Sequence, residues 1–213
     1  YAGGLNRFDR ATGKFKHYTH NPNDQYSISN NDVYSIVEDT NSNLWLGTHE
    51  GVDLFKRETE RFIHYINIPG DSTSLSHKDC NEVYRDSQNN IWVGTFKGLN
   101  LFNRKEETFV RYFHDSNDST SLSNNFVQCI YEDSKGRFWI GTQGGGLNLM
   151  DRESETFKYY LEEDGLVNNS IYGILEDNQH NLWLSTNRGL SKFNPRTETF
   201  TNYDSDDGLL SSQ

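Results

Sequence analysis

The tryptophans of this chain recur in one five-residue pattern at nearly constant spacing. The pattern is an apolar residue, Trp, a second apolar residue, a small residue and Thr, centred on Trp45, Trp92, Trp139 and Trp183. The steps from one Trp to the next are 47, 47 and 44 residues, and the sequence has only these 4 Trp. The small position holds Gly47, Gly94, Gly141 and Ser185. Self-similarity at a fixed period of this length predicts a repeat architecture.

The other segments of each repeat unit recur at the same spacing as the Trp residues. An alternating strand ending in Asp is predicted before each Trp strand, over residues 33–39, 80–86, 127–133 and 171–177. Turn formers join it to the Trp strand. A glycine then precedes each third strand, at Gly51, Gly98, Gly146 and Gly189, and predicts a turn with positive φ. An extra glycine in 144–146 predicts a bulge or wider turn.

A fourth strand with the pattern Phe-x-x-Tyr completes each unit, and a fifth copy at Phe15 and Tyr18 stands near the N-terminus. Four short strands in about 45 residues without helical periodicity predict an all-β fold, a β-propeller built of four-stranded antiparallel blades. A solenoid is the alternative. The predicted organisation is one propeller segment over 1–213: a half blade at 1–24, then blades at 25–70, 71–117, 118–165 and 166–213, the last including the start of a next blade.

The aromatic content explains how such blades associate. A single four-stranded sheet cannot bury both of its faces alone. One indole ring per blade, on the second strand, would fill the space between neighbouring sheets, and the small residue after it would let the chains approach. Each such ring can bury roughly 150–250 Å².

Charge and composition exclude several classes of protein. The chain has 20 Lys+Arg against 31 Asp+Glu, a formal net charge of −11, which repels phosphate backbones and argues against a nucleic-acid partner. No apolar run approaches the roughly 20 residues needed to cross a bilayer. Cys80 and Cys129 lie at different positions of the repeat and predict no disulfide. We expect this segment to be part of a longer protein with more blades.

These motifs resemble the two-component regulator propeller repeats of sensor proteins. The resemblance rests on the Asp turn, the Trp-Gly-Thr motif, the Gly-Leu-x-x-Phe and Phe-x-x-Tyr strands, and the Asp-Ser-Thr-Ser-Leu-Ser linkers at 71–76 and 118–123. It covers essentially the whole chain, with departures at Ser185 and in the linker at 163–166. In that family the repeats form the periplasmic sensor of inner-membrane hybrid histidine kinases, many of them, especially in Bacteroides-type bacteria, responsive to oligosaccharides.

The resemblance therefore implies a periplasmic ligand-sensing segment, with an oligosaccharide ligand, the remaining blades of the parent and a second copy of the parent as partners. Nothing in this sequence resembles the kinase itself. We predict no catalytic residue, cofactor or metal site. The seven His show no metal-ligand spacing. The loops at 39–43 and 204–208 place side-chain oxygens at alternating positions, as calcium loops do, but they are better interpreted as turns closed by an Asp side chain.

The loops that enter the first strands hold the candidate ligand-binding residues. They are Asn30 and Asn31, His77 and Lys78, Asn124 and Asn125, and Asn168 and Asn169. Amides both donate and accept hydrogen bonds, which suits sugar hydroxyls, and in a propeller these loops would ring one mouth of the channel. The alternative is that each Asn turns the chain before a strand.

Three functions remain open at this point. The first is a non-catalytic sensor segment. The second is a protein-interaction or dimerisation propeller without a small-molecule ligand. The third is a lyase-type enzyme on a propeller fold.

Overall fold

The computed structural model describes residues 3–209, nearly all of whose regular structure is strand. The half blade consists of β1 (Leu5–Asp9) and β2 (Lys14–Tyr18). The first blade contains β3 (Val33–Glu38), β4 (Leu44–Thr48), β5 (Gly51–Lys56) and β6 (Arg61–Tyr65), and the second β7 (Cys80–Arg85), β8 (Ile91–Thr95), β9 (Gly98–Asn103) and β10 (Thr108–Tyr112).

The third blade contains β11 (Val127–Glu132), β12 (Phe138–Thr142), β13 (Leu147–Asp151) and β14 (Thr156–Tyr160). The fourth contains β15 (Ile171–Glu176), β16 (Leu182–Thr186), β17 (Gly189–Asn194) and β18 (Thr199–Tyr203). Short 3₁₀ helices lie at Glu162–Asp164 and Ser205–Asp207. In every sheet the strand order follows the chain. The predicted all-β fold, a partial β-propeller with a half blade and four blades, is confirmed.

The chain divides into two compact units. The first comprises Tyr1–Thr95 and Asn100–Arg111, and the second Phe96–Leu99 and Tyr112–Gln213. The assignment of 1–213 to one propeller segment stays a prediction. Of the predicted approach to a further blade at 207–213, residues 210–213 lie outside the described residues.

An Asp closes the turn between the first and second strands of each blade, and it is buried in the first three blades. Asp39 Oδ1 accepts hydrogen bonds from the backbone N–H groups of Asn41 at 2.8 Å and Asn43 at 3.0 Å, while its Oδ2 accepts from Trp45 Nε1 at 3.1 Å. The same indole contact is made to Asp86, Asp133 and Asp177 at 2.9, 2.9 and 3.1 Å. The predicted turn is thus confirmed, but the first strand ends one residue before the Asp, because that residue belongs to the turn.

The glycine that opens each third strand has the positive φ predicted for it. The angles are 128° at Gly51, 105° at Gly98, 69° at Gly146 and 121° at Gly189. A Cβ on Gly51 would lie 2.4 Å from the carbonyl oxygen of Tyr65, so both strain and contact exclude a side chain there. The extra glycine of the third blade lengthens the turn between β12 and β13, as expected.

Each first strand carries a bulge that the sequence analysis did not predict. The register shifts between Val33 and Ser35 in the first blade and at the same place in the other three. After the shift, the residue facing the motif glycine is Ser35, Glu82 or Cys129 in the first three blades. In the fourth blade the pair is exchanged, because Gly173 faces Ser185. This exchange accounts for the departure from the motif at Ser185.

Within the first unit, Trp45 lies between two blades. Its indole stacks on Tyr65 of its own blade, with ring centroids 5.6 Å apart, and contacts Phe102 of the second blade at 4.8 Å. The surrounding core is apolar and includes Val52, Leu75 and residues of both sheets. The predicted role of the indole as a wedge between sheets is confirmed here.

Within the second unit, Trp139 has the same surroundings. Its ring centroid lies 6.4 Å from that of Tyr160 and 5.7 Å from that of Phe193 in the fourth blade. Gly141 permits the close approach that the sequence predicted, because a Cβ there would lie 2.5 Å from Cys129 Sγ and 2.8 Å from Ile171. Both cysteines, Cys80 and Cys129, are free and buried.

A Tyr–Glu hydrogen bond joins consecutive repeats. The Tyr that ends one fourth strand donates to a Glu in the last turn of the next repeat, as Tyr18 to Glu60 at 3.0 Å, Tyr112 to Glu155 at 2.9 Å and Tyr160 to Glu198 at 3.0 Å. These Glu residues have positive φ, between 54° and 58°. The sequence analysis missed them, although a Glu two residues before the Phe of the Phe-x-x-Tyr strand in all four blades was a readable signal.

Candidate functional site

The first member of each predicted loop pair turns the chain. Asn30, Asn124 and Asn168 accept a hydrogen bond through Oδ1 from the backbone N–H two residues further on, at 2.8, 2.8 and 3.0 Å. His77 accepts in the same way through Nδ1, from Asp79 N at 3.1 Å. This is the structural alternative that the sequence left open, so these side chains have a defined role without any ligand.

The second residue of three of the pairs is an Asn that accepts a hydrogen bond from the linker preceding it. The Oδ1 atoms of Asn31, Asn125 and Asn169 accept from the backbone N–H groups of His20, His114 and Glu162, at 2.7, 2.8 and 2.8 Å. Their amide oxygens are therefore already used inside the protein. The ligand-binding role of the eight loop residues stays a prediction.

Lys78 differs from its counterparts because it carries a charge to the surface. Its ammonium lies 3.3 Å from Glu50 Oε1 and 3.5 Å from His49 Nε2. His49 and His77 both contact the buried carboxylate of Asp79. Two members of this group, Glu50 and Lys78, line a cleft of the first unit.

The cleft has a volume of about 520 Å³, which lies within the range of small-ligand pockets. Its walls are the linker between the half blade and the first blade, the end of β6, Glu50 and Lys78. Polar lining groups include His20, Gln25 and Asn67, and Ile28 and Ile66 supply apolar surface. Of the eight predicted residues, the cleft includes Lys78.

An Asp–His pair lies at one side of this cleft, where His64 lines the wall and Asp53 is buried behind it. Asp53 is fully buried in β5 and accepts through Oδ2 from the backbone N–H of Ser29 at 2.7 Å. Its Oδ1 lies 2.6 Å from His64 Nδ1, and His64 Nε2 lies 3.0 Å from the carbonyl oxygen of Gln25. Both ring nitrogens thus face acceptors, which favours the protonated imidazolium. The hydrogen bond to Asp53 raises the pKa of His64, although partial burial opposes the shift.

The second blade fills the equivalent positions differently. Asn100 stands where the first blade has Asp53, and its Oδ1 accepts from Ser76 N at 2.9 Å. Arg111 stands where the first blade has His64, and it donates to the linker carbonyl oxygens of Asp71 and Ser74, both at 2.6 Å. The longer guanidinium therefore reaches further along its linker than the imidazole does. The sequence analysis missed the Asp53–His64 pair, although an Asp aligned with Asn100, Asn148 and Ser191 was the signal that could have revealed it.

In the two loops that resemble calcium loops, hydrogen bonds within the protein occupy the Asp carboxylates. The Asp204 carboxylate accepts from Asp206 N at 2.8 Å and caps the 3₁₀ helix Ser205–Asp207. The carboxylate of Asp39 accepts from two backbone groups and an indole, as described above. Within residues 3–209, no cluster of three or more His, Cys, Asp or Glu side chains is arranged to hold a metal ion. In the same range, no helix has the length and apolarity to cross a membrane.

The repeated four-stranded sheets, each with an Asp-capped Trp and a positive-φ glycine, define a β-propeller repeat protein. Residues 27–50, 74–97, 121–144 and 165–188 each match the family described as two component regulator propeller. The chain therefore contains four repeats of this family, and the resemblance drawn from the sequence is confirmed.

Two similar proteins come from signalling systems. A segment of 62 residues is 45% identical to "Histidine kinase P4" of Formosa agariphila, covering 29% of this chain and 4% of the kinase. The extracellular domain of the hybrid two component system BT3049 of B. thetaiotaomicron is 28% identical with a TM-score of 0.75, covering 83% of this chain and 25% of that one. The chain thus spans a small part of these proteins.

A third similar structure is an enzyme. Virginiamycin B lyase from Staphylococcus aureus superposes with a TM-score of 0.68 and is 12% identical, covering 95% of this chain and 63% of the lyase. Similarity at this level of identity shows a shared fold alone.

Proposed function

We propose that this chain is a non-catalytic segment of the extracellular, ligand-sensing part of a two-component sensor. The observation that carries the proposal is the set of four family matches together with the 28% identity to the extracellular domain of a hybrid two component system. In the parent protein, this segment would lie in the periplasm beside further blades. It would pass ligand binding on to a histidine kinase elsewhere in a membrane-anchored, dimeric sensor.

We assign the ligand to the cleft of the first blade and to the class of oligosaccharides. The cleft offers donors and acceptors of several kinds: the imidazole of His20, the side-chain amides of Gln25 and Asn67, and the ammonium of Lys78. Such mixed groups around an apolar wall suit a ligand with many hydroxyls. Because the amide oxygens of Asn30, Asn31 and their equivalents are engaged in turns and linkers, the cleft is a better candidate than those loops.

Thermal shift of the whole chain with a broad set of oligosaccharides tests this proposal. At least one oligosaccharide should raise the melting temperature, since a ligand that binds only the folded state stabilises it. Isothermal titration of that oligosaccharide then gives an affinity for comparing variants. Failure of every oligosaccharide to bind would contradict the ligand class and favour an interaction module.

The second blade suggests a pair of substitutions that should close the cleft. Asp53→Asn with His64→Arg converts the first blade to the pair present in the second, where Asn100 and Arg111 are accommodated. This double variant should remain folded and lose oligosaccharide binding by about tenfold or more. Lys78→Ala should weaken binding, whereas Asn124→Ala, which alters a loop of the third blade, is the matched control. Loss of binding in Asn124→Ala alone would place the site in the loops instead.

A further inference from the structure

The residue before the final Tyr of the fourth strand attaches a linker to the blade in the first, second and fourth blades. In the second blade, Arg111 donates to two carbonyl oxygens of the linker before it, both at 2.6 Å. In the fourth, the side-chain amide of Asn202 donates to the carbonyl oxygen of Gly165 at 2.9 Å. In the first, His64 Nε2 lies 3.0 Å from the carbonyl oxygen of Gln25. Of these three donors, the imidazole is the one that titrates near neutral pH.

The contact with His64 helps to hold one wall of the cleft in place. We call residues 19–32, between β2 and β3, the first linker. Next to the contact of Gln25 with His64, the carbonyl oxygen of Tyr26 accepts from the backbone N–H of Phe62 at 3.0 Å, and the Arg61 guanidinium lies 4.4 Å from the centroid of the Tyr26 ring. Residues of the first linker line the cleft, so these contacts with β6 set the shape of that wall.

Asp53 determines which nitrogen of His64 keeps its proton. Its carboxylate is fully buried, and its Oδ1 lies 2.6 Å from His64 Nδ1. Loss of this N–H would leave a buried charge with one hydrogen bond fewer, which is costly. Nδ1 therefore keeps its proton, and the proton that leaves as the pH rises is the one on Nε2. The lone pair of Nε2 then faces the oxygen of Gln25, and the hydrogen bond between them is lost.

The charges around the imidazole come from both sides of the cleft. The hydrogen bond to Asp53 raises the pKa of His64 above its ordinary value of 6.5, partial burial opposes this shift, and the carbonyl of Gln25 adds to it. The other ionisable residues that line the cleft are His20 and Asp24 of the first linker, Glu50 of the turn between β4 and β5, and Lys78 before β7. Glu50 and Lys78 pair with each other at 3.3 Å. The imidazolium is therefore the form present at mildly acidic pH.

We propose that His64 is a proton-dependent latch on the first linker. The imidazolium holds the linker against β6 and completes the wall of the cleft, and the neutral imidazole releases the linker at Gln25. The hold is complete below pH 6.5 and is lost as the pH rises through the raised pKa of His64 in the folded state. The consequence for binding rests on the proposed function: an oligosaccharide that contacts this wall binds more tightly at acidic pH. The latch itself requires no ligand.

Amide hydrogen exchange of the whole chain without ligand, followed by mass spectrometry, tests the latch. Protection factors, which correct for the intrinsic exchange rate at each pH, should fall about tenfold over residues 24–29 between about pH 5.5 and pH 8.5, because a hydrogen bond from a charged donor is lost. The linker at 71–76 is the internal control, since Arg111 stays charged over this range, and its protection should not change.

The other blades supply matched variants that lack a titratable latch. Asp53→Asn with His64→Arg reproduces the pair of the second blade. Asp53→Ser with His64→Asn reproduces the pair of the fourth, where the Ser191 hydroxyl donates to Asn202 Oδ1 at 2.6 Å. In both double variants the protection of residues 24–29 should change less than about twofold over the same pH range. Both variants keep His20, so they separate its titration from that of His64.

A ¹⁵N NMR titration of the histidine side chains needs no folded variant and tests the same latch. His64 should keep its proton on Nδ1 at both pH values and lose the proton of Nε2 above pH 6.5. The opposite tautomer, unchanged protection of residues 24–29 in the unmodified chain, or an equal change in both double variants would overturn the proposal. Because no ligand is present, each of these results leaves the oligosaccharide proposal standing, and failure of every oligosaccharide to bind leaves the latch standing.

Discussion

The third and fourth blades contain the same Trp in the same local structure but bury it differently. Trp139 and Trp183 both donate to the Asp six residues earlier, at 2.9 and 3.1 Å, and both contact the Tyr that ends the fourth strand. Trp139 is also covered by Phe193 of the following blade and is buried, whereas Trp183 is half-buried. The sequence motif thus sets the position of the ring, and the following repeat supplies its burial.

The largest expected difference is in stability. Trp139→Ala should lower the free energy of unfolding by about 3–5 kcal/mol, the usual result of removing a buried large aromatic. Trp183→Ala should cost about 1–2 kcal/mol, because less of its surface is removed from water. Chemical denaturation followed by circular dichroism measures both. Equal losses would show that the following blade contributes nothing to the energy of the ring.

The third and fourth blades also differ at the bulge, where Cys129 faces Gly141 in the third blade and Gly173 faces Ser185 in the fourth. Gly141→Ser should destabilise the protein by about 1–3 kcal/mol, because its Cβ would overlap Cys129 Sγ and Ile171, which is overpacking. Ser185→Gly should cost less than about 1 kcal/mol, the conformational cost of a strand glycine. Cys129→Gly in the Gly141→Ser background reproduces the arrangement of the fourth blade and should recover part of the loss. Thermal unfolding of the variants tests the exchange, and a harmless Gly141→Ser would refute it.

In the second blade, Glu82 occupies the position that Cys129 has in the third. Its ionisation should make the stability of the protein depend on pH. Burial raises the pKa of Glu82 from 4.5 to about 7. The folded state therefore holds the proton of Glu82 more tightly than the unfolded state does, so the contribution of Glu82 to stability is most favourable below pH 4.5 and is lost as the pH rises towards 7. Glu82→Gln should stabilise the protein at pH 8 by about 1–3 kcal/mol and have little effect at pH 4.5. Urea denaturation at the two pH values measures this, and an equal effect at both would contradict it.

The smallest expected difference in stability between the third and fourth blades comes from the Tyr–Glu hydrogen bond. Tyr160→Phe removes the donor to Glu198 and should cost about 1 kcal/mol. Tyr203→Phe, the same change in the fourth blade, should be nearly neutral, because no following Glu is present among residues 3–209. A double-mutant cycle of Tyr160→Phe with Glu198→Gln isolates the pair, and a coupling energy near zero would contradict its role.

Much of the fold could be predicted from spacing, because four Trp, the Asp before each and the Gly after each have positions that only a repeat explains. The bulges could not, since they depend on how Ser35 and its equivalents face the motif glycines across two strands. The cleft could not either: Asp53 and His64 are eleven residues apart, and their contact depends on the register of β5 and β6. Loop residues such as Asn30 and Asn31 have polar side chains that suit both a ligand and a turn, and sequence alone cannot distinguish the two.

The central claim is that the following repeat buries the indole, as Phe102 does for Trp45 and Phe193 does for Trp139. Chain labelled with 5-fluorotryptophan, studied by ¹⁹F NMR at a concentration where it is monomeric, should give four resonances that Trp→Phe substitutions assign. Trp45, Trp92 and Trp139 should be shielded from a soluble paramagnetic agent and insensitive to exchange of H₂O for D₂O, while Trp183 should respond to both. Four resonances with the same accessibility, or an exposed resonance assigned to Trp139, would contradict the account.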